Sequence, residues 1–243
     1  MNITKMITAG VFAIVLLLGA VGYTVLRTPA EASAPISAIP LASSSASASS
    51  TGTAAQATTA TTTDVDVILA QIVQAESEAR FVIDEVLNNA PKTVVGTTDE
   101  VAGELAVNPQ DPSQTRVGTI QVNARTLTTD SDFRNRAIKN QILSTDQYEF
   151  ITFTPIEIVG LPAAGAGGAT YSFQIVGDLT IRDVTKQVTF DVTATPTAET
   201  RLEGTAQTTI RYADYGITIP QVRQVASVSD NVRLEIDFVA TPQ

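Results

Sequence analysis

Residues 171–192 read YSFQIVGDLTIRDVTKQVTFDV. Tyr171, Phe173, Ile175, Leu179 and Ile181 share one parity, with Gly177 among them. In a strand, successive side chains point to opposite faces, so this alternation marks one buried face and one wet face. Residues 183–186 then turn the chain. Val188, Phe190 and Val192 take the inner face of the return strand, and Thr189, Asp191 and Thr193 the outer one. The stretch predicts a long antiparallel hairpin with a single apolar face.

The same texture extends from Asp64 to the C-terminus. In the last strand Val232, Leu234, Ile236 and Phe238 point one way, while Arg233, Glu235 and Asp237 point the other. Further strands are expected over 68–73, 79–85, 101–107, 117–124, 148–159 and 202–212. Gly165, Gly167 and Gly168 mark 162–169 as a flexible hairpin tip. An antiparallel set of about eight strands buries its apolar face by curling into a barrel or folding into a sandwich.

One segment departs from this period. Asp130 or Ser131 can cap a helix running to Leu143. Phe133, Ala137, Ile138, Ile142 and Leu143 form its apolar side, and Arg134, Arg136 and Lys139 its polar side. Such a helix lids or plugs a barrel end. The alternative is packing on the sheet exterior.

Two segments precede the strands. Residues 6–26, MITAGVFAIVLLLGAVGYTVL, carry no charge and lie between Lys5 and Arg27. A run of about 20 apolar residues can span a bilayer, so 1–27 is read as an uncleaved signal anchor. A cleaved signal peptide is the rival, with small-x-small sites at Ala30-Glu31-Ala32 and Ala32-Ser33-Ala34. Residues 28–63 are mostly Ala, Ser, Thr and Pro with one charge, Glu31. They are read as a flexible stalk of roughly 35 Å. The domain is then 64–243, placed outside the cell membrane, or secreted or periplasmic if the anchor is cleaved.

Composition removes much chemistry. The chain has no histidine, cysteine or tryptophan. Ser-His-Asp and Cys-His nucleophiles are excluded, as are His/Cys zinc sites. A net charge of −10 repels phosphate backbones, so nucleic acid is not an expected partner. Asp178, Arg182 and Asp183 read as turn chemistry, and Arg211 with Asp214 as a structural pair. Asn108-Pro109-Gln110-Asp111-Pro112 is a turn-rich loop with too few oxygen ligands for calcium.

Several ordered stretches resemble the YceI-like family. These are Ile72-Val73, Ser77 and Phe81-Val82-Ile83, then Val95-Gly96 and Val101-Ala102-Gly103-Glu104-Leu105. Ala124 to Asp130 with Arg134, and Leu143 through Phe153, follow. The most specific match is Gly177 to Val188, and Tyr212-Ala213-Asp214-Tyr215-Gly216-Ile217 fits a late element. Glu76 stands where the family often has histidine. The resemblance implies an all-β, lipocalin-like antiparallel barrel of about eight strands with one short helix. It also implies a long isoprenoid-type ligand in the interior and no catalytic residues, so the chain is not expected to be an enzyme. No cofactor is implied beyond a bound isoprenoid lipid or quinone, and no metal.

The expected interior, and so the candidate ligand-binding set, is Phe81, Leu105, Ile120, Val122, Phe133, Ile138, Phe153, Tyr171, Phe173, Ile175, Phe190, Ile210, Leu234, Ile236 and Phe238. Gly103, Gly118, Gly177, Gly204 and Ala206 are small inward residues whose space either large neighbours or a ligand can fill. The expected partners are a hydrophobic lipid and, through the anchor, the membrane. A homodimer is left open. The competing readings are a lipid carrier or store, a non-catalytic envelope interaction module with a filled barrel, and an enzyme. A continuous apolar hollow separates the first from the second, and two close buried carboxylates would revive the third.

Overall fold

The computed structural model describes residues 27–41, 67–165, 168–198, 201–220 and 225–242. The apolar run at 6–26 and most of the expected stalk lie outside them. Among the described residues no helix is long and apolar enough to cross a membrane.

Among the described residues thirteen strands form one sheet. They are β1 (Ile68–Ile72), β2 (Glu78–Leu87), β3 (Ala90–Thr98), β4 (Val101–Ala102), β5 (Glu104–Val107), β6 (Arg116–Val117) and β7 (Ile120–Asn123). After a short helix come β8 (Phe150–Val159), β9 (Tyr171–Ile181), β10 (Val184–Ala198), β11 (Arg201–Arg211), β12 (Val225–Val228) and β13 (Asn231–Pro242). Every ladder between these strands is antiparallel.

The order along the sheet is β4-β7-β8-β9-β10-β11-β13-β1-β5-β6. β4 and β5 are consecutive pieces of chain joined by Gly103. One piece pairs with β7 and the other with β1. Two regions far apart along the sheet are thus held by one short stretch, so the sheet curls round on itself. Its apolar side faces inward, and most of the buried core belongs to one cluster there.

The hairpin read first is present in full. Ile175 pairs with Phe190, and Phe173 with Val192. The turn is tighter than expected. Only Arg182 and Asp183 lie outside the strands, and Val184 to Lys186 already belong to β10. Arg182 has φ +59°, uncommon for a residue with a side chain. Its guanidinium lies 5.9 Å from the centre of the Tyr148 ring, a cation–π contact that favours this bend.

Two strands were absent from the sequence reading. β3 follows β2 through Asn88 and Asn89, whose φ values are +51° and +63°. Asparagine tolerates this left-handed region, and a two-residue turn of that kind reverses the strand. β12 pairs with the far end of β2. The expected strand over 101–107 is split at Gly103, and that over 117–124 between Val117 and Ile120.

The helix, α1, spans Asp132–Ala137 and opens into a wider π turn over Ile138–Ile142. Ser131 caps it, its hydroxyl accepting from the Arg134 N–H at 3.4 Å. Ile138, at the junction of the two, is buried at 7% exposed.

Residues 27–41 do not behave as the start of a loose stalk. The Ser33 N–H and hydroxyl both donate to Glu149, each at 2.8 Å. Gln74 donates to the Ile36 carbonyl at 2.7 Å, and the Leu41 N–H donates to Glu104. The Ile36 side chain is buried. This strap covers the outer side of β4 and β5, where Ala102, Glu104 and Ala106 are buried despite their outward parity. Among the described residues of this segment, Arg27, Glu31, Ser33, Ile36 and Leu41 bond to the domain.

Candidate ligand cavity

Two apolar cavities lie inside the curled sheet, of about 490 Å³ and about 230 Å³. The larger is lined by Leu105, Ile120, Phe153, Tyr171, Phe173, Ile175, Phe190, Ile236 and Phe238 from the expected set. The smaller is lined by Phe81, Ile120, Val122, Ile138, Phe153, Phe190, Ile210, Leu234 and Ile236. Ile120, Phe153, Phe190 and Ile236 therefore belong to both and form the waist between them. Phe153 and Phe190 meet edge to face there, with ring centres 4.8 Å apart and planes at 62°.

Phe133 is the exception. It borders neither cavity and is 53% exposed. The expectation that it points inward is corrected. Phe133 and Ile138 are five residues apart, which on a regular helix separates them by about 140°. Ile138 faces the hollow, so Phe133 faces away.

The small inward residues are covered by large ones. A Cβ on Gly177 would lie 2.6 Å from the Phe153 ring, and one on Gly204 2.6 Å from the Phe238 ring. Glycine at these points lets an aromatic ring lie flat on the sheet. The remaining hollow is walled partly by Ala70, Ala194, Ala206 and Ala240. Of these only Ala206 was read as inward.

The two ends differ in chemistry. At the larger cavity the loops around Pro109, Pro112 and Leu161 form the mouth. Arg201 stands there, paired with Glu76 at 2.7 Å and with Glu203 at 2.7 Å. The Arg201 hydrogen bond and charge hold the Glu76 carboxyl below its ordinary range. At the smaller cavity Glu85 and Arg134 pair at 2.9 Å, their side chains 8% and 20% exposed. Both border the hollow. Sequence reading missed this pair, although Glu85 keeps the inward parity of Phe81 and Ile83. Close to the helix end, Tyr215 is 2% exposed. Burial first, then the charge of Asp214, pushes its hydroxyl up to about 12.

Outward charges on β2 and β13 are ion-paired. Arg80 reaches Glu235 at 2.5 Å and Asp237 at 2.6 Å. Among the described residues no three acidic side chains converge where a metal could bind.

The family model of the YceI-like domain matches residues 71–240. The chain belongs to the YceI-like family. Solved structures agree on the fold. Burkholderia cenocepacia BcnA is 18% identical with a TM-score of 0.55, covering 70% of this chain and 99% of that one. A polyisoprenoid binding domain from Saccharophagus degradans, implicated in plant cell wall breakdown, is 14% identical with a TM-score of 0.56, covering 72% and 99%. The Campylobacter jejuni YceI protein is 15% identical with a TM-score of 0.51, covering 61% and 84%. No curated protein matches the chain.

Proposed function

We propose that this YceI-like protein is a membrane-anchored, extracytoplasmic binding protein that carries or stores a long hydrophobic, isoprenoid-type ligand. The observation that carries the reading is the pair of apolar cavities meeting at the Phe153–Phe190 waist. The larger alone falls within the range of roughly 300–1,000 Å³ typical of ligand pockets. Two cavities in line suit a slim chain better than a compact molecule. The Saccharophagus degradans relative, described as a polyisoprenoid binding domain, supports the ligand class. Residues 6–26 supply the anchor, and the sheet serves as a barrel around the ligand.

Energetics favour a reversible carrier. Removing the chain from water is worth about 0.8 kcal/mol per methylene-sized group. A bilayer offers the same gain, so exchange between membrane and barrel is close to neutral and is tuned by shape and by the polar head. The Glu85–Arg134 pair at one end and Arg201 at the other are the polar groups a head would meet. No reaction is assigned to the site: its role is binding and its lining is hydrocarbon.

Mass spectrometry of organic extracts from the protein, purified out of membrane-containing cells, tests this. A co-purifying isoprenoid lipid or quinone, stoichiometric with protein, is the expected result. Protein that is consistently free of lipid after mild purification overturns it.

A further inference from the structure

The smaller cavity ends against α1 and its π turn, whose inner side chains Ile138 and Ile142 line it. The outer side of the same segment is different. Phe133 is 53% exposed. Arg136 is exposed three residues on, and Lys139 is half-buried three residues further. Among the described residues neither cation has an ion-pair partner, whereas nearby Asp130 is taken by Lys92 and Arg134. Asp132 is the one acidic group on the exposed part of α1. In a chain of net charge −10, an exposed aromatic flanked by two unpaired cations is a local reversal. Aromatic rings and basic side chains together are what settles at a membrane–water interface with anionic headgroups.

The path of the chain brings the membrane to the same place. Arg27 directly follows the uncharged residues 6–26. Its carbonyl accepts from the Asn140 side chain at 2.8 Å, and its guanidinium pairs with Asp146 at 2.9 Å. Arg125 adds a hydrogen bond to the Glu31 carbonyl at 3.2 Å. The residue that follows the apolar run is thus pinned beside the helix. A stalk starting there would leave every orientation open, and this strap narrows the choice.

We propose that the Phe133–Arg136–Lys139 face rests on a bilayer with anionic headgroups, and that the Arg27 latch holds the helix end of the barrel toward it. This rests on the anchored reading above, not on the identity of the ligand. A rival apolar patch exists: Ile156 and Val159 on β8 are 58% and 44% exposed. Ile156 lies six residues beyond the start of β8, about 20 Å along the strand. Its neighbour Glu157 would be repelled by anionic lipid.

The absence of cysteine allows clean single-site labelling. Asp132→Cys and Ile156→Cys are each made in the full chain, labelled with bimane, and reconstituted in phosphatidylcholine–phosphatidylglycerol vesicles. A fraction of the lipid carries a headgroup nitroxide. The label at 132 is expected to be quenched several-fold more than the label at 156. Phe133→Ser with Arg136→Glu, and separately Arg27→Ala with Asp146→Ala, should each shrink that difference while the far-ultraviolet spectrum stays unchanged. Equal quenching at both sites, stronger quenching at 156, or failure of the full chain to float with vesicles overturns the proposal. Lipid retained in the extracts alongside equal quenching would sink the orientation and leave the binding reading intact.

Discussion

The two ends of the curled sheet solve the same problem with different materials. At the larger cavity, loops meet backbone to backbone. The Ser113 N–H donates to the Pro162 carbonyl at 3.1 Å and the Gly165 N–H to the Gln110 carbonyl at 3.2 Å. A Cβ on Gly165 would fall 2.0 Å from the Pro109 carbonyl oxygen, so this approach requires glycine. At the smaller cavity the closure is by side chains: a capped helix, the Glu85–Arg134 pair and the strap that begins at Arg27. Backbone lacing can part without stranding a charge. A buried ion pair cannot part so cheaply. The difference fits the proposed ligand exchange at the loop end and the proposed anchorage at the helix end.

The largest expected effect lies between the ends. Phe153→Ala removes the ring shared by both cavities, its contact with Phe190, and the cover over Gly177. The loss of stability should be about 3–5 kcal/mol, measured by urea unfolding. A loss under about 1 kcal/mol would mean that the waist is not packed as described. The same variant merges the two hollows, so the lipid profile in the extract should shift toward bulkier chains.

A smaller effect is expected at the helix end. Arg134→Leu leaves Glu85, 8% exposed, without its cation. Removing one partner of a buried pair is costly, and partial exposure of Arg134 moderates this to about 2–3 kcal/mol. Glu85→Gln with Arg134→Leu should recover much of the loss, because no charge is then stranded. Gly165→Ala at the loop end should cost less, about 1 kcal/mol, and should alter ligand exchange before it alters unfolding. Equal costs at the two ends would erase the contrast drawn above.

How much of this the sequence disclosed depends on the kind of contact. Period-two alternation found β9, β10 and β13 because each has one wet face. The thirteen strand residues of the expected interior set all stand at a cavity wall, and Ile138 joins them from the helix. Alternation missed β3, because Asn88-Asn89 reads as a polar continuation of β2 unless their left-handed backbone is known. Phe133 was misplaced because it was put on one apolar face with Ile138, which a regular helix turns about 140° away. The strap escaped notice for a different reason. Its bonds run largely through its own backbone, at Arg27, Glu31, Ser33, Ile36 and Leu41. Every residue type offers those groups, so composition cannot reveal them. The counterparts, Glu149, Arg125, Gln74 and Glu104, are distributed over the domain, and only folding brings them into line.

That strap supplies the smallest effect and the clearest dependence on pH. Burial raises the Glu149 carboxyl, but the Ser33 N–H and hydroxyl, the Arg125 charge and the Asn123 amide outweigh it and hold it below its ordinary range. Asp146 is likewise lowered, first by its hydrogen bond with Arg27. A carboxyl lowered in the bound strap contributes its full stabilisation above the unbound value, about 4.3 for a glutamate. The contribution fades as pH falls through the lower, bound value. The strap should therefore release on acidification below about pH 4 while the sheet, held by apolar burial, persists. Hydrogen exchange at residues 27–41 should accelerate in that window ahead of exchange in β9 and β10. Glu149→Gln should abolish most of the pH dependence and leave the strap loose at neutral pH. Simultaneous loss of protection in strap and sheet would show that the two are one cooperative unit, and the helix end would then owe its anchorage to the whole fold rather than to this latch.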